Sequence, residues 1–238
     1  MIGVITIFEH ELEILKDNCI IDEAQKLAGK TFYRGELVSD DVVFVQVDND
    51  AIDVAMTSQL LLDNYAVESL HYSGAARTLA PFVETGDIII ANYLVWPEQM
   101  GEFYRLSTQP QNRKSMIFEP SEEILKKIKS ASNAISQDKS RTVFGTILRS
   151  GYYEPEDPRI QLLNREYGAI ALDNAGPAFA YACAKNEIPY ITYNIAIDDL
   201  DKSDTHEFRS KIRTSIEHIF NLKMASLVEI GGQAIPAR

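Results

Sequence analysis

The sequence is poor in cysteine, in histidine and in positive charge. Only Cys19 and Cys183 occur among 238 residues. They form no CxxC pair, which argues against a disulfide framework or a cysteine-ligated zinc site and favours a reducing compartment. The four histidines, His10, His71, His206 and His218, lack metal-ligand spacing and read as satisfied surface or core residues. Lys plus Arg total 23 against 35 Asp plus Glu, a net charge of −12, so there is no surplus of cations to neutralise nucleic-acid phosphates. No stretch approaches the roughly 20 apolar residues of a membrane span. The first eight residues lack the basic start and small-residue cleavage site of a signal peptide, and a cytoplasmic location is expected. Phosphate-cradling, dinucleotide-fingerprint and nucleophile-elbow motifs are missing as well.

What is present is ordinary globular composition, 45% hydrophobic and 24% charged, enough to bury a sizeable core. Apolar runs alternate with helical patterns, which predicts an α/β fold. Residues 2–8, 31–37, 42–47, 69–72, 87–95, 142–148, 167–172 and 190–197 read as strands. Residues 38–41 join two of them as a hairpin turn. Helices are predicted over 9–16, 51–65, from 120 to before 137, from 157, over 176–185 and over 205–222. The expected core face of 51–65 carries Ile52, Ala55, Met56, Leu60 and Leu61, and the methionines read as core filler. Residues 97–120 read as an irregular surface loop. A single domain over 1–222 with a loosely held tail over 223–238 is expected. Several strands end in small or acidic residues (Ser73-Gly74, Asp173-Asn174, Asp198-Asp199), where open α/β sheets place their ligands.

The order of these segments carries a resemblance. Gly3-Val4-Ile5 followed by Phe8-Glu9-His10-Glu11-Leu12, then Phe32-Tyr33-Arg34-Gly35, resembles the opening of the methylthioadenosine/S-adenosylhomocysteine nucleosidases of the purine nucleoside phosphorylase superfamily. Ser73-Gly74-Ala75-Ala76-Arg77-Thr78-Leu79-Ala80-Pro81 with Gly86-Asp87-Ile88-Ile89 resembles that family's TG-x-AGG-LAP and GDIV stretch. Asp173-Asn174-Ala175-Gly176-Pro177-Ala178 lies where the family has E-M-E-G-A-A, and Ala196-Ile197-Asp198-Asp199 where it has A-I-S-D. The match is collinear from Gly3 to about Leu222. It implies a three-layer α/β/α sandwich with a central mixed, barrel-like sheet, N-glycosidic cleavage of a purine nucleoside, no metal or organic cofactor, and a homodimer.

Cleaving such a bond leaves positive charge on the sugar and negative charge on the base, so two carboxyl groups with separated acidities are wanted. By the resemblance, Asp199 is the proton donor to the base and Glu11 the group that activates water. Read without it, Asp199 is a turn or capping residue and Glu11 an exposed first-turn residue beside Glu9 and Glu13. The resemblance also implies substrate contacts at Ala75, Ala76, Arg77, Tyr152, Tyr153, Asp173, Asn174, Asp198 and Phe208.

The departures are specific. Where the family has S-G-I-G-K this chain has Val47-Asp48-Asn49-Asp50-Ala51, the ribose-gripping Glu falls on Ala175, the Arg before the last motif on Ile195, and the first glycine of AGG on Arg77. Beside the bland reading of an unrelated α/β protein, three stand open. The first is a nucleosidase with a rearranged sugar site, in which Arg77 supplies the charge missing at Ile195 and Asp173 or Asp198 the missing acceptor. The second is a phosphorylase using Arg77 and Arg149, and the third a homologue that binds a nucleoside without turning it over.

Overall fold

The computed structural model describes residues 1–97, 116–135, 140–149, 151, 155–198 and 205–228. The strands are β1 (Ile2–Thr6), β2 (Ile20–Leu27), β3 (Lys30–Leu37), β4 (Asp40–Gln46), β5 (Ser69–Thr78), β6 (Ile88–Trp96), β7 (Met116–Phe118), β8 (Thr142–Leu148), β9 (Ala169–Leu172) and β10 (Tyr190–Ile197). The helices are α1 (Glu9–Asn18), α2 (Ala51–Asn64), α3 (Glu122–Ala134), α4 (Pro158–Tyr167), α5 (Gly176–Lys185) and α6 (His206–Val228).

All strands belong to one sheet of order β10-β6-β8-β9-β5-β1-β4-β3-β2, with β7 on β6. A further pairing of β10 with β5 closes five strands into a ring, and β1, β4, β3 and β2 extend from it. The sheet is mixed: β1 runs parallel to β4 and β5, β10 parallel to β5 but antiparallel to β6. Alternation along β1 shows the layers. Ile5 packs with Val54 and Leu61 of α2, while its neighbour Val4 packs with Leu15 of α1 and Met224 of α6. This is the expected sandwich with a barrel-like centre.

Helix starts follow local chemistry. Asp50 caps α2 through Ile52 N and Asp53 N, Ser121 caps α3, and Asp157 caps α4 ahead of Pro158. Gly168 closes α4 at φ 59°, so β9 starts at Ala169 and not at Tyr167. Between β3 and β4, Val38 and Ser39 both hold positive φ, 51° and 73°. That is the backbone of a two-residue turn whose twist matches its strands.

Five expectations are corrected. Strand β2 was missing from the reading because nearly every residue in it is exposed, which leaves no apolar alternation. β5 runs on through residues 73–78, whose backbone is held by β10 as far as Arg77 and by β9 at Arg77 and Thr78. β7 lies inside the segment expected to be irregular; residues 98–115 fall outside the described chain. On α2 the buried stripe is Ala51, Val54, Thr57, Ser58 and Leu61, while Ile52 and Met56 are 74% and 50% exposed. Small residues face inward because α2 lies close against α5 and β1, so Met56 is not core filler. Finally, α6 continues six residues past 222, with Lys223, Met224 and Ser226 buried.

A β-branched residue in the left-handed region carries a conformational cost of about 1–2 kcal/mol. Val38→Asn is therefore expected to stabilise the protein by roughly 1 kcal/mol, read as a higher midpoint in urea unfolding with unchanged slope. A lower midpoint would show that the exposed Val38 side chain makes contacts outweighing its backbone strain.

Candidate active site

The register of three parallel strands builds the floor of the site. Ser73 of β5 pairs with Thr6 of β1 and with Tyr193 of β10. Registered residues in a parallel sheet point to one face, so two hydroxyls and a phenol form a row across the sheet. Thr6 then organises the start of α1. Its Oγ1 accepts a hydrogen bond from Phe8 N at 3.0 Å, which serves an N-terminus where Phe8 itself offers no side-chain cap. The same Oγ1 donates to Glu11 Oε2 at 2.7 Å. Glu11, in the first turn, thereby hangs over the row it would otherwise leave for solvent.

Glu11 is fully buried. Ser73 Oγ donates to its Oε1 at 3.1 Å, and Lys223 Nζ donates to the same oxygen at 2.6 Å. Lys223 comes from α6, is 3% exposed, donates also to Ser73 Oγ at 2.7 Å, and sits 4.9 Å over the Tyr193 ring. Burial pulls the Lys223 ammonium below its ordinary range, and the charge and hydrogen bond of Glu11 pull it partly back. His71 stacks on Tyr193 with its Nδ1 3.3 Å from the Tyr193 hydroxyl. Burial, aided by the Lys223 charge, lowers His71 to about 3, so it is neutral at physiological pH. Tyr193, buried beside Glu11, is raised well above its ordinary value and keeps its proton. The one described group charged against Glu11 by a direct contact is Lys223.

Arg77 lies four residues beyond Ser73 on β5, opposite Ile197 and Leu172. The cation in contact with Glu11 is thus Lys223, a residue expected in the tail. A signal for Lys223 existed: Ile216, Ile219, Lys223 and Ser226 follow one helical stripe, and a lysine on an apolar stripe asks for a buried partner. The hydroxyl row had no comparable signal, because register is set by long-range pairing.

Asp173 answers a different need. It is 3% exposed at the end of β9. Its Oδ1 accepts from Ala175 N at 2.9 Å, and its Oδ2 accepts from Gly176 N at 2.8 Å and Asn194 Nδ2 at 2.8 Å. The carboxyl expected to replace a sugar acceptor is bonded by protein donors at the N-terminus of α5. Burial raises it to about 6 against the opposing pull of those donors. Ala175 is fully buried beside it.

Other expected contacts lie nearby. Asn174 is half-buried, its Oδ1 accepting from Arg149 Nε at 3.3 Å, and Arg149 stacks on Trp96 with its Cζ 3.8 Å from the ring centre. Ala75 is half-buried and Ala76 buried. Asp198 is exposed at the end of β10 and accepts from Thr78 Oγ1 at 3.0 Å. Phe208 is half-buried in an open groove of about 370 Å³ between α1 and α6, with Glu9, His10, Ile212 and Ile216. The segment over 47–51 is a capping turn: Asp50 caps α2, and Asp48 N donates to Asp53 Oδ2 at 2.9 Å. Asp199, Tyr152 and Tyr153 fall outside the described residues. Among the described residues no group of three or more His, Cys, Asp or Glu side chains is placed to hold a metal ion, and no helix is long and apolar enough to cross a membrane.

Asp173 makes stability pH-dependent. Its folded value of about 6 lies above the unfolded carboxyl value of 3.8, so the folded state holds this proton more tightly. The resulting stabilisation is complete below the unfolded value and is lost as pH rises through 6. Between pH 4 and 7.5 the wild type should lose on the order of 1–3 kcal/mol relative to Asp173→Asn, measured by urea unfolding of both across that range. A difference constant with pH would show that Asp173 titrates normally.

Comparison with known proteins follows the same architecture. The family model described as the phosphorylase superfamily matches residues 1–228. The 5′-methylthioadenosine/S-adenosylhomocysteine nucleosidase of Colwellia psychrerythraea is 23% identical over 241 residues, covering 99% of this chain and 98% of that protein. The nucleosidase of the same name from Staphylococcus haemolyticus is 25% identical over 202 residues, covering 84% and 86%. Among solved structures, the Colwellia nucleosidase in complex with adenine superposes with a TM-score of 0.79 at 21% identity, covering 99% of this chain and 97% of that one. The native futalosine hydrolase of Helicobacter pylori superposes with a TM-score of 0.79 at 18% identity, covering 96% and 97%. With the family model spanning nearly its whole length and the same fold throughout, this chain belongs to the phosphorylase superfamily.

Proposed function

We propose that this chain hydrolyses the N-glycosidic bond of an adenine-type purine nucleoside carrying a 5′ substituent, such as methylthioadenosine or S-adenosylhomocysteine, and releases the free base. The observation that carries the reading is Glu11, a fully buried carboxylate over the ends of β1 and β5. Its acceptor capacity is accounted for. Oε1 takes two donors, Lys223 and Ser73, while Oε2 takes Thr6 alone and keeps one lone pair. That lone pair accepts a proton from the attacking water. As the C1′–N bond breaks, Asp199 delivers a proton to the base and the water oxygen bonds to C1′. Free base and free sugar leave, Glu11 returns its proton to solvent and Asp199 takes one up.

The remaining contacts follow from the family resemblance: Tyr152 and Tyr153 serve the base, and Phe208 covers the 5′ side. Ala75, Ala76, Arg77, Asn174 and Asp198 line the strand ends around the sugar and base. Asp173 supports the site through Ala175 N, Gly176 N and Asn194. Residues 1–228 work as one domain, since α6 runs past the expected boundary at 222, in the cytoplasm and as a homodimer, for which exposed Ile52 and Met56 on α2 supply apolar surface.

One observation favours a second reading. Ala175 offers no acceptor to the sugar hydroxyls, and Asp173 is already bonded within the protein. Without replacement, the missing hydrogen bonds cost a few kcal/mol of transition-state binding, on the order of 10²-fold or more in rate. A protein of that kind binds a nucleoside and turns it over poorly.

The test is base release, with and without phosphate, from methylthioadenosine, S-adenosylhomocysteine, adenosine, inosine, futalosine and 2′-deoxy analogues. Phosphate-independent release is expected, reduced at least about 10²-fold in Asp199→Asn with the fold intact. Release that requires phosphate makes the chain a phosphorylase. Tight nucleoside binding without release from any substrate supports the binding-protein reading and overturns hydrolysis.

A further inference from the structure

Lys223 is far from the strand ends in sequence and adjacent to them in space. An ammonium buried to 3% exposure is costly unless its charge and its donors are met. Two of its three donors are met by the two atoms that fix Glu11, Oε1 at 2.6 Å and Ser73 Oγ at 2.7 Å. Ser73 Oγ in turn donates to the same Oε1, so lysine, serine and carboxylate oxygen form a closed triangle. The Tyr193 ring covers the ammonium. None of this is needed to build α6, whose neighbouring stripe positions Ile216 and Ile219 pack without charge.

We propose that Lys223 is a positioning residue for hydrolysis: it saturates Glu11 Oε1 and fixes the carboxylate plane, so that the one free lone pair, on Oε2, meets the attacking water. The inference rests on the reading of Glu11 as the group that activates water. Lys223 itself touches Glu11 and Ser73 and not the reacting atoms.

A pH profile separates this role from simple support of the fold. The titratable groups facing Lys223 are Glu11 from α1, His71 from β5 and Tyr193 from β10. His71 is neutral above about 3, and Tyr193 keeps its proton well above its ordinary range. Lys223, lowered by burial, loses its charge first as pH rises, and Oε1 then loses its anchor. The wild type therefore shows an alkaline fall in kcat below the ordinary lysine range. Arg remains charged throughout, so Lys223→Arg moves that fall upward by more than about one pH unit. Lys223→Met loses at least about 30-fold in kcat at neutral pH while KM changes less than about 3-fold.

The experiment measures kcat and KM from pH 5 to 11 for the wild type, Lys223→Arg, Lys223→Met and Glu11→Gln, with circular dichroism confirming the fold at each pH. An alkaline limb that moves in the Arg variant, with kcat lost in the Met variant, is the expected result. Where a Lys223 variant does not fold, the wild-type profile decides, since kcat that stays flat through pH 10.5 in the folded protein overturns the proposal. Failures are distinguishable. Activity retained in Glu11→Gln overturns the reading of Glu11, and base release absent from the wild type overturns the reaction; in either case the role of Lys223 falls with it. Activity lost in Glu11→Gln, with both Lys223 variants at the wild-type profile, overturns the role of Lys223 alone.

Discussion

The contact on which the arrangement turns is the buried ion pair between Glu11 and Lys223. It joins the first helix to the last across nearly the whole chain, 2.6 Å between charged atoms that are almost entirely removed from water. Desolvating two charges costs several kcal/mol each, and their mutual attraction offsets that only when every remaining donor and acceptor is met. Thr6 and Ser73 meet most of them, and both are delivered by one parallel pairing of β1 with β5. A slip of one residue in that pairing would send Ser73 to the other face and leave the pair unsupported. The ion pair thus constrains the register, and the register makes the ion pair possible.

The same alternation divides the polar residues between two layers. Thr6, Ser73 and Tyr193 face α1 and α6, whereas Tyr72 and Asn194, one residue along, face α5. On the first face a carboxylate is held by a cation. On the second, Asp173 is held by backbone N–H groups and an amide, and burial weakens its acidity against the pull of those donors. The two buried carboxyls, a few strands apart, thus have different partners. The one is held over Thr6 and Ser73, and the other fixes the first turn of α5, which carries Ala175 and Gly176 into place.

Legibility in the sequence followed the physics of each segment. β1, β6 and β10 were readable because strands buried on both faces become continuous apolar runs. Starts of α3 and α4 were readable because Ser121, Asp157 and Pro158 act within one turn. β2 was silent because it lies at the sheet's outer edge with Ile20 71% exposed. The buried face of α2 departs from the one its large apolar residues predict, because close helix packing selects Thr57 and Ser58 over Met56. Glu11 was visible only through the collinear resemblance. By itself it is one acid among several in a first turn, and its burial depends on residues 62 and 212 positions away.

That dependence bears on which layer of the fold brings a cation to Glu11. Ile195, on β10, is fully buried in an apolar cluster with Ile90, Ile216 and Ile219, so β10 has no cation to offer at that point. α6 reaches the same carboxylate from above, one turn beyond Ile219, and does so with a flexible side chain whose stem packs along the helix stripe. A helix can trade an apolar stripe position for a lysine without altering strand pairing, whereas a charge in β10 would have to be met inside the sheet. The electrostatic requirement at Glu11 is thus satisfied by the layer most tolerant of change, and the sheet keeps the register that the site needs.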